Sequence, residues 1–464
     1  MRRSDRIAAD WLSETTRVRI AWFLIAFAVL AVRILTPWRQ PVGDPDFWWL
    51  SWFGNQWLHG SMPTHNGFSW TAPNTPWITH EPGVGIIDAL AGPAYLGLVR
   101  CLLLGATWLV LTYTAWRPDG GRALPFALVW AMLLISWGVS ERALSWGNLM
   151  MAVTVALTTP ARLLTGQEKL IGWGNSDRAP ATVQPARLAL AALAVGIWAN
   201  LHGSFLIGVM LVGLADWRWG VAAALATLAN PHGVYLWGLL SRYTPDAHVG
   251  QFIQQVLVEW GPLDLRSANG LLQLGLLLVA LPVIWPLRWR PVLLWAIFSA
   301  MALRHTRFSD LAGIGLLPWV SAGLARRLAP LDVPSPIPAA AVLIAVAAVV
   351  LPWPHFDPAR FPPDFPYAKL EGHRVWNEYQ LGGYLGAHGV PVFWDPRVDC
   401  YPVNVLADGV TIQIDARQRL AVLQRWKVDR VVAWSPAILD PLRHAGWTDD
   451  GGAGDIHVLA APRN

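Results

Sequence analysis

Charge is what this sequence most lacks. Only 14% of its 464 residues are Asp, Glu, Lys or Arg, where a soluble domain carries roughly 25%, so the chain cannot clothe a water-facing surface of its own size. Cysteine is nearly absent. Cys101 in an apolar run and Cys400 in the tail exclude a disulfide framework and a cysteine-based metal site. The net charge of +5 is dispersed, with no basic cluster interleaved with aromatics, which argues against a nucleic-acid partner. There is no internal repeat and no low-complexity segment. No small-residue cleavage site follows the apolar run after the charged N-terminus, so Ile20–Leu35 is expected to be a retained signal-anchor helix.

Apolar residues make up 54% of the chain, and they come in blocks such as Ile20–Leu35 and Ala339–Leu351. A bilayer core about 30 Å thick takes roughly 20 mostly apolar residues per helix. Many of the 30 tryptophans sit at block ends, among them Trp38, Trp116, Trp217, Trp285 and Trp353, as rings at the headgroup level do. After Ile20–Leu35, the pattern predicts spans over 83–116, 123–139, 148–163, 188–200, 203–217, 218–229, 270–286, 291–303, 308–324 and 336–352. Arg2, Arg3 and Arg6, the loop 163–187 with Arg162, Lys169, Arg178 and Arg187, then Arg288, Arg290, Arg326 and Arg327 mark the cytoplasmic side. These anchors give about eleven spans, a cytoplasmic N-terminus and an outer C-terminus, provided that 83–116, interrupted by Arg100, makes one net crossing.

The expected architecture is therefore a polytopic α-helical membrane domain over 1–353, with a first outer loop over 37–82, and a small extracytoplasmic α/β domain over 354–464. In the tail, Val390–Trp394, Val428–Trp434 and Asp455–Ala460 read as strands and Ala416–Lys427 as a helix. Gly382-Gly383 and Gly451-Gly452 read as turns.

On this topology the unusual polar residues gather on the outer side. They are Asp44 and Asp46 in Gly43-Asp-Pro-Asp-Phe-Trp-Trp, His80-Glu81-Pro82, Ser140-Glu141-Arg142, Asn200-Leu-His202-Gly, Asn230-Pro-His232-Gly, Glu259-Trp260, and Arg304, His305 and Arg307. Taken singly, each is explained by ordinary loop polarity. As a set they point to a site for an anionic substrate, because the inner loops carry Lys and Arg but few His or Glu. Arginine supplies a planar fork for phosphate. Asp44 and Asp46 have two chemical uses: a general base on an incoming hydroxyl, or ligands with phosphate oxygens for Mg²⁺ or Mn²⁺. Asp44 precedes Pro45 and suits a turn, which leaves Asp46 as the catalytic choice.

On these motifs the chain resembles the GT-C superfamily of membrane glycosyltransferases, in particular protein O-mannosyltransferases and aminoarabinose transferases. Asp44 and Asp46 stand at the family's acidic motif in the first outer loop. His80-Glu81-Pro82 stands where a His-Pro-Pro motif closes it, with Glu81 in place of proline. It is similar, more closely, to a bacterial polytopic group within that superfamily. The matching segments are Asp44-Pro-Asp-Phe-Trp-Trp49, Gly60-Ser-Met-Pro63, Asn66-Gly-Phe-Ser69, His80-Glu81, Asn200-Leu-His-Gly203, Asn230-Pro-His-Gly233, Glu259-Trp260, Gly382-Gly-Tyr384 and Asp395-Pro-Arg397.

The resemblance implies inverting transfer of a sugar from a polyprenyl-phosphate donor to a hydroxyl acceptor, outside the cytoplasmic membrane of a bacterial cell. Asp46, with Asp44 beside it, would deprotonate the acceptor. Arg304 or Arg307 would stabilise the leaving phosphate. His80, Glu81, Arg142, His202 and Glu259 would bind substrate or a metal, and the lipid would lie beside 83–116. The tail offers Asn377, Tyr379, Asp395, Arg397 and Asp399, either as substrate ligands or, for Asp395 and Arg397, as a pair pinning a turn. Two other readings stand beside this one: a transporter or flippase-like protein for a lipid-linked anion, which an internal repeat would have favoured, and a non-catalytic subunit of envelope assembly.

Overall fold

A computed structural model describes residues 14–136, 140–160, 183–240, 250, 252–253, 257–285 and 289–462. The basic residues Arg2, Arg3, Arg6, Arg162, Lys169, Arg178 and Arg288 lie outside the described residues, as does part of the loop 241–269.

Among the described residues, all the elements before Leu351 are helices. The helices are α1 Glu14–Leu35, α2 Asp46–Leu58, α3 Pro82–Ala115, α4 Ala123–Leu134, α5 Ala143–Thr158, α6 Pro185–Trp198, α7 Phe205–Ala215, α8 Trp217–Ala226, α9 Tyr235–Leu240, α10 Ala268–Ile284, α11 Trp289–Arg304, α12 Ser309–Ala325 and α13 Ile337–Val350. Proline opens α3, α6 and α13, where its missing N–H is one that a first turn leaves unpaired anyway. Asp216 separates α7 from α8 and caps α8, its carboxylate accepting from the Arg218 amide at 2.9 Å. Among the described residues, three helices are long and apolar enough to cross a membrane: Glu14–Arg39, with its 3₁₀ extension, Pro82–Ala115 and Thr306–Ala325. Of the tryptophans expected at the headgroup level, Trp217 and Trp285 are exposed, while Trp38 is buried.

The segment 83–116 is one helix of 34 residues broken once, at Gly92, whose φ of 60° precedes Pro93. Arg100 does not interrupt it. The side chain is buried and donates to the carbonyls of Pro37, Gln40 and Pro41 and to Glu141. At the centre runs α12, packed against α3, α4, α5, α10 and α11. Its small residues, Gly313, Gly315 and Ala322, let those neighbours approach. Asp310 in its first turn is buried, accepting from the Ser136 amide and the Asn148 side chain, each at 2.9 Å.

The tail builds a four-stranded sheet, order β1-β2-β4-β3, from β1 Val375–Asn377, β2 Arg430–Ala433, β3 Thr448–Ala453 and β4 Ile456–Ala460. β1 and β2 are parallel, and the remaining pairs antiparallel. Four short helices accompany it: α14 Gly382–Ala387, α15 Val403–Ile414, α16 Arg419–Arg425 and α17 Pro436–His444. The run 390–394 is not a strand of this sheet. It extends along the first loop instead, with Val392 N–H donating to the Phe68 carbonyl at 2.9 Å and Trp70 N–H to the Val392 carbonyl at 3.1 Å. Its apolar side chains fit either partner, so only tertiary contact decides. Gly382 and Gly383 open α14 rather than a turn. A Cβ on Gly383 would stand 2.9 Å from the Pro45 carbonyl, so the tail meets the acidic loop backbone to backbone. Gly451 and Gly452 are paired residues inside β3, with φ of 123° and 141°, directly after a bulge between Asp449 and Gly451.

A buried ion pair clamps loop to tail. The Arg397 guanidinium donates to Asp395 at 2.7 and 2.8 Å and to Asn66 of the first loop at 3.0 Å. It lies over the Phe68 and Trp77 rings at 4.4 and 4.7 Å. Replacing Arg397 with alanine leaves a buried carboxylate uncompensated, which costs roughly 3–5 kcal/mol. The variant should unfold at a clearly lower temperature in detergent micelles; melting together with the unchanged protein would show that the clamp carries no stability.

Candidate active site

Six separate segments converge around the acidic turn at Asp44–Asp46. The chain enters with Asp44 and Pro45, where the Asp44 carboxylate accepts from the Asp46 amide at 3.0 Å and turns the backbone into α2. Glu141 moors this loop: one carboxylate oxygen accepts from the amides of Gly43 and Asp44, both at 2.8 Å, and the other pairs with Arg100 at 3.2 Å. The next residue, Arg142, then reaches three acids. Its guanidinium stands 3.1 Å from Asp44, 3.6 Å from Asp46 and 3.0 Å from Glu259. Glu259, in the 3₁₀ turn Val258–Trp260, also takes Arg307 at 3.1 Å, and Arg307 lies over the Trp260 ring at 4.4 Å. His80 and Glu81 pair at 3.2 Å just ahead of α3. His202, between α6 and α7, is held by Ser204 at 2.6 Å.

Burial dominates the acid–base behaviour. It drives the Asp44 carboxyl well above its usual range, against the pull of Arg142 and with the repulsion of Asp46 and Glu141. Asp46 is raised in the same way, with Glu81 adding repulsion and the Trp49 indole, donating at 3.1 Å, opposing it. Burial and Glu81 act in opposite directions on His80, and the acid wins, so its proton is held more tightly than usual. Glu81 is correspondingly lowered: burial opposes its ionisation, but His80, His202 and Arg142 outweigh that. His202, desolvated and without a carboxylate partner as close, is pushed down to about 3 and is neutral. Arg142 is raised by Asp44 first, against its own burial, and stays charged.

No protein-family model matches the chain, and no curated protein matches it. Among solved structures, the archaeal oligosaccharyltransferase AglB from Archaeoglobus fulgidus, in complex with an inhibitory peptide and a dolichol-phosphate, aligns with a TM-score of 0.50 at 11% identity. The alignment covers 89% of this chain and 69% of that one. The apo oligosaccharyltransferase of the same organism gives 0.48 at 12% identity, over 91% and 70%. The chain therefore shares its overall fold with the archaeal oligosaccharyltransferase.

Within this fold the geometry unites most of the residues singled out from sequence. Asp44, Asp46, Arg142, Glu259 and Arg307 form one linked cluster, with His80, Glu81 and His202 beside it. Arg304 does not join them. It is exposed at the last turn of α11, because the 3₁₀ turn Thr306–Phe308 directs Arg307 inward instead. His305 is buried and hydrogen-bonds the Trp260 carbonyl at 2.6 Å, which fixes the Glu259 turn. Asp44 and Asp46 both face the Arg142 guanidinium, at 3.1 and 3.6 Å, and among the described residues no three His, Cys, Asp or Glu side chains group as ligands.

One residue, Asp88, escaped the sequence reading. Glu141 and Arg100, both noted there, act through the backbone they hold, which no motif announces. Asp88 lies inside α3, buried, with one carboxylate oxygen unpaired among the described residues. Its signal was available: an acid seven residues after Glu81 falls on the same helix face. Tyr379, from the tail, faces the cluster closely enough to feel Asp46, Arg142 and Glu259.

The His80–Glu81 pair carries a pH signature. The His80 value is raised, so its contribution to stability is whole below the unfolded value of 6.5 and fades as pH rises through the folded one. The Glu81 value is lowered, so its contribution holds above 4.5 and fades as pH falls through the folded one. Thermal melts should therefore separate the unchanged protein from His80→Gln most widely between pH 4.5 and 6.5, with the gap closing at higher pH. A gap independent of pH would mean that the pair is not ionised.

Proposed function

We propose that the protein is a glycosyltransferase that moves a sugar from a polyprenyl-phosphate donor to a hydroxyl acceptor. It would work at the extracytoplasmic face of a bacterial plasma membrane, with about eleven crossings, a membrane domain over 1–353 and an outer domain over 354–464. The observation that carries this reading is the joining of first-loop carboxylates to Arg142 and Arg307 through Glu259. The similar fold of AglB, in complex with a dolichol-phosphate and an inhibitory peptide, supports a lipid-phosphate donor and a second substrate.

Among the acids, Asp46 is best placed as the base. Arg142 holds Asp44 and Glu259 at 3.1 and 3.0 Å but Asp46 at only 3.6 Å, so Asp46 is the most easily released, and burial strengthens its hold on a proton. In the step itself the acceptor oxygen bonds to the sugar's anomeric carbon as its proton passes to Asp46. The bond from that carbon to the phosphate oxygen breaks, with inversion, and the electron pair leaves with the phosphate. Arg307 and Arg142 face the charge that develops there. His202, neutral, is suited to bonding a sugar hydroxyl, and the His80–Glu81 pair to orienting it. Asp44 acts chiefly on the loop and on Arg142. Arg142, together with Arg307, supplies the fixed positive charge that the acids face.

Two measurements test this. Asp46→Asn should lower sugar transfer by about 10²–10⁴-fold while donor lipid still copurifies, whereas Asp44→Asn should cost less; full activity in both variants would remove the base. Exhaustive chelation should leave the rate within about twofold, given a guanidinium as the fixed positive charge. Loss of transfer that Mg²⁺ or Mn²⁺ restores would instead put a cation on Asp44 and Asp46.

A further inference from the structure

Beside the acidic loop lies a second feature that the transfer step does not use. A cavity of about 450 Å³ opens between Gly43 and the tail, walled by Trp434, Gln380, His457, Asp455 and Arg360. Sites for small ligands span roughly 300–1,000 Å³. We infer that this cavity is the acceptor subsite and that the acceptor it takes is a saccharide. The inference rests on the glycosyl-transfer reading for the word acceptor, and on the cavity alone for the word saccharide.

Position is the first argument. Gly43 is both a wall of the cavity and the residue before Asp44, and its amide is held by Glu141 at 2.8 Å. A ligand seated there lies against the residue that precedes the Asp44–Asp46 turn, next to the loop that carries the base.

The second argument is the character of the walls. Trp434 is half-buried and fixed in place. Its amide and that of Ser435 donate to the Glu378 carboxylate at 3.0 and 3.1 Å, and its ring meets Phe361 edge-on, with centroids 6.1 Å apart. Around this Trp434–Phe361 pair stand an amide, an imidazole, a carboxylate and a guanidinium. That is a mixed set of donors and acceptors, suited to a ring bearing hydroxyls along its edge and C–H groups on its face. Beyond Trp434 and Phe361 the walls are polar, so the cavity lacks the apolar side-chain pockets by which peptides are gripped.

An unmet hydrogen bond is the third. The side-chain oxygen of Gln380 is buried with no partner among the described residues, a state that costs free energy until a donor arrives. A sugar hydroxyl is such a donor. The rim needs little rearrangement to receive it, because the Asp455 amide donates to the Ala359 carbonyl at 2.6 Å and ties the β3–β4 hairpin to the Arg360 segment.

Gln380 also lines a separate groove of about 260 Å³, whose other walls are Phe252, Leu257, Tyr379, Trp394 and Val410 among others. The Tyr379–Gln380 turn thus stands between a polar chamber and a largely apolar one. A polyhydroxylated acceptor partitions into the first, which leaves the second for a chain of hydrocarbon.

The test reads binding without turnover. The full chain is placed in lipid nanodiscs, since maltoside headgroups would compete, and probed by saturation-transfer NMR with a panel of neutral and acidic disaccharides and with serine-, threonine- and asparagine-containing tripeptides. At least one disaccharide should receive saturation. That signal should fall about fivefold or more in Trp434→Ala and in Gln380→Ala, each of which removes a direct contact, and should return in Trp434→Phe. Asp46→Asn should keep it, which separates loss of binding from loss of transfer. A protein that transfers sugar but shows no disaccharide signal, equal signals in all variants, or tripeptide signals lost in Trp434→Ala would each overturn the inference while leaving the transfer reading intact.

Discussion

One guanidinium organises this molecule. Arg142 reaches acids from the first loop and from the 3₁₀ turn ahead of α10 at once, at 3.0 to 3.6 Å. A buried carboxylate is tolerated only when something compensates its charge, and here Asp44, Asp46 and Glu259 share the same compensating group. They are therefore obliged to meet. Arg307, paired to the far oxygen of Glu259, extends the chain of charges to the start of α12, the most central helix of the bundle.

The mooring of Arg142 explains why the preceding residue matters. Glu141 accepts two amides of the acidic loop and takes Arg100 from α3, which in turn gathers three carbonyls at the end of the first membrane helix. Loop, first helix and kinked third helix are thus fixed to one another around a buried pair. From the other side, α14 presses on Pro45 with glycine at the contact, and the Arg397 clamp pulls the tail against Asn66, Phe68 and Trp77. The acidic turn has little freedom between them. Preorganisation of that kind is what a charge-separating step requires, since dipoles already in place need not reorganise as charge develops.

Much of this was legible in the residues. Helices stand where apolar blocks predicted them, because block length and the proline or aspartate at block ends act locally. Asp44, Asp46, His80, Glu81, Arg142, His202, Glu259 and Arg307 stood out as polar groups at block ends, a position with a physical reason behind it. The misreadings share a cause. Arg304 and Arg307 are equally basic and three residues apart, and only the 3₁₀ turn between them decides which faces inward. Val390–Trp394 has the composition of a strand but pairs with the first loop rather than the sheet. Arg100 looked like a break in a helix until its carbonyl partners, some sixty residues away, were in view.

By itself, the sequence determined that the chain is helical and membrane-embedded, that its acids and histidines collect at helix ends, and that a small α/β unit follows. These are consequences of composition and short-range periodicity. Only the tertiary structure decided which arginine neutralises which acid, that the tail closes over the acidic turn, and that a polar cavity and a mostly apolar groove lie on either side of Tyr379–Gln380. The reason is the range of the forces: hydropathy and turn propensity act within a few residues, whereas a buried charge must find its partner wherever the fold brings one within about 4 Å.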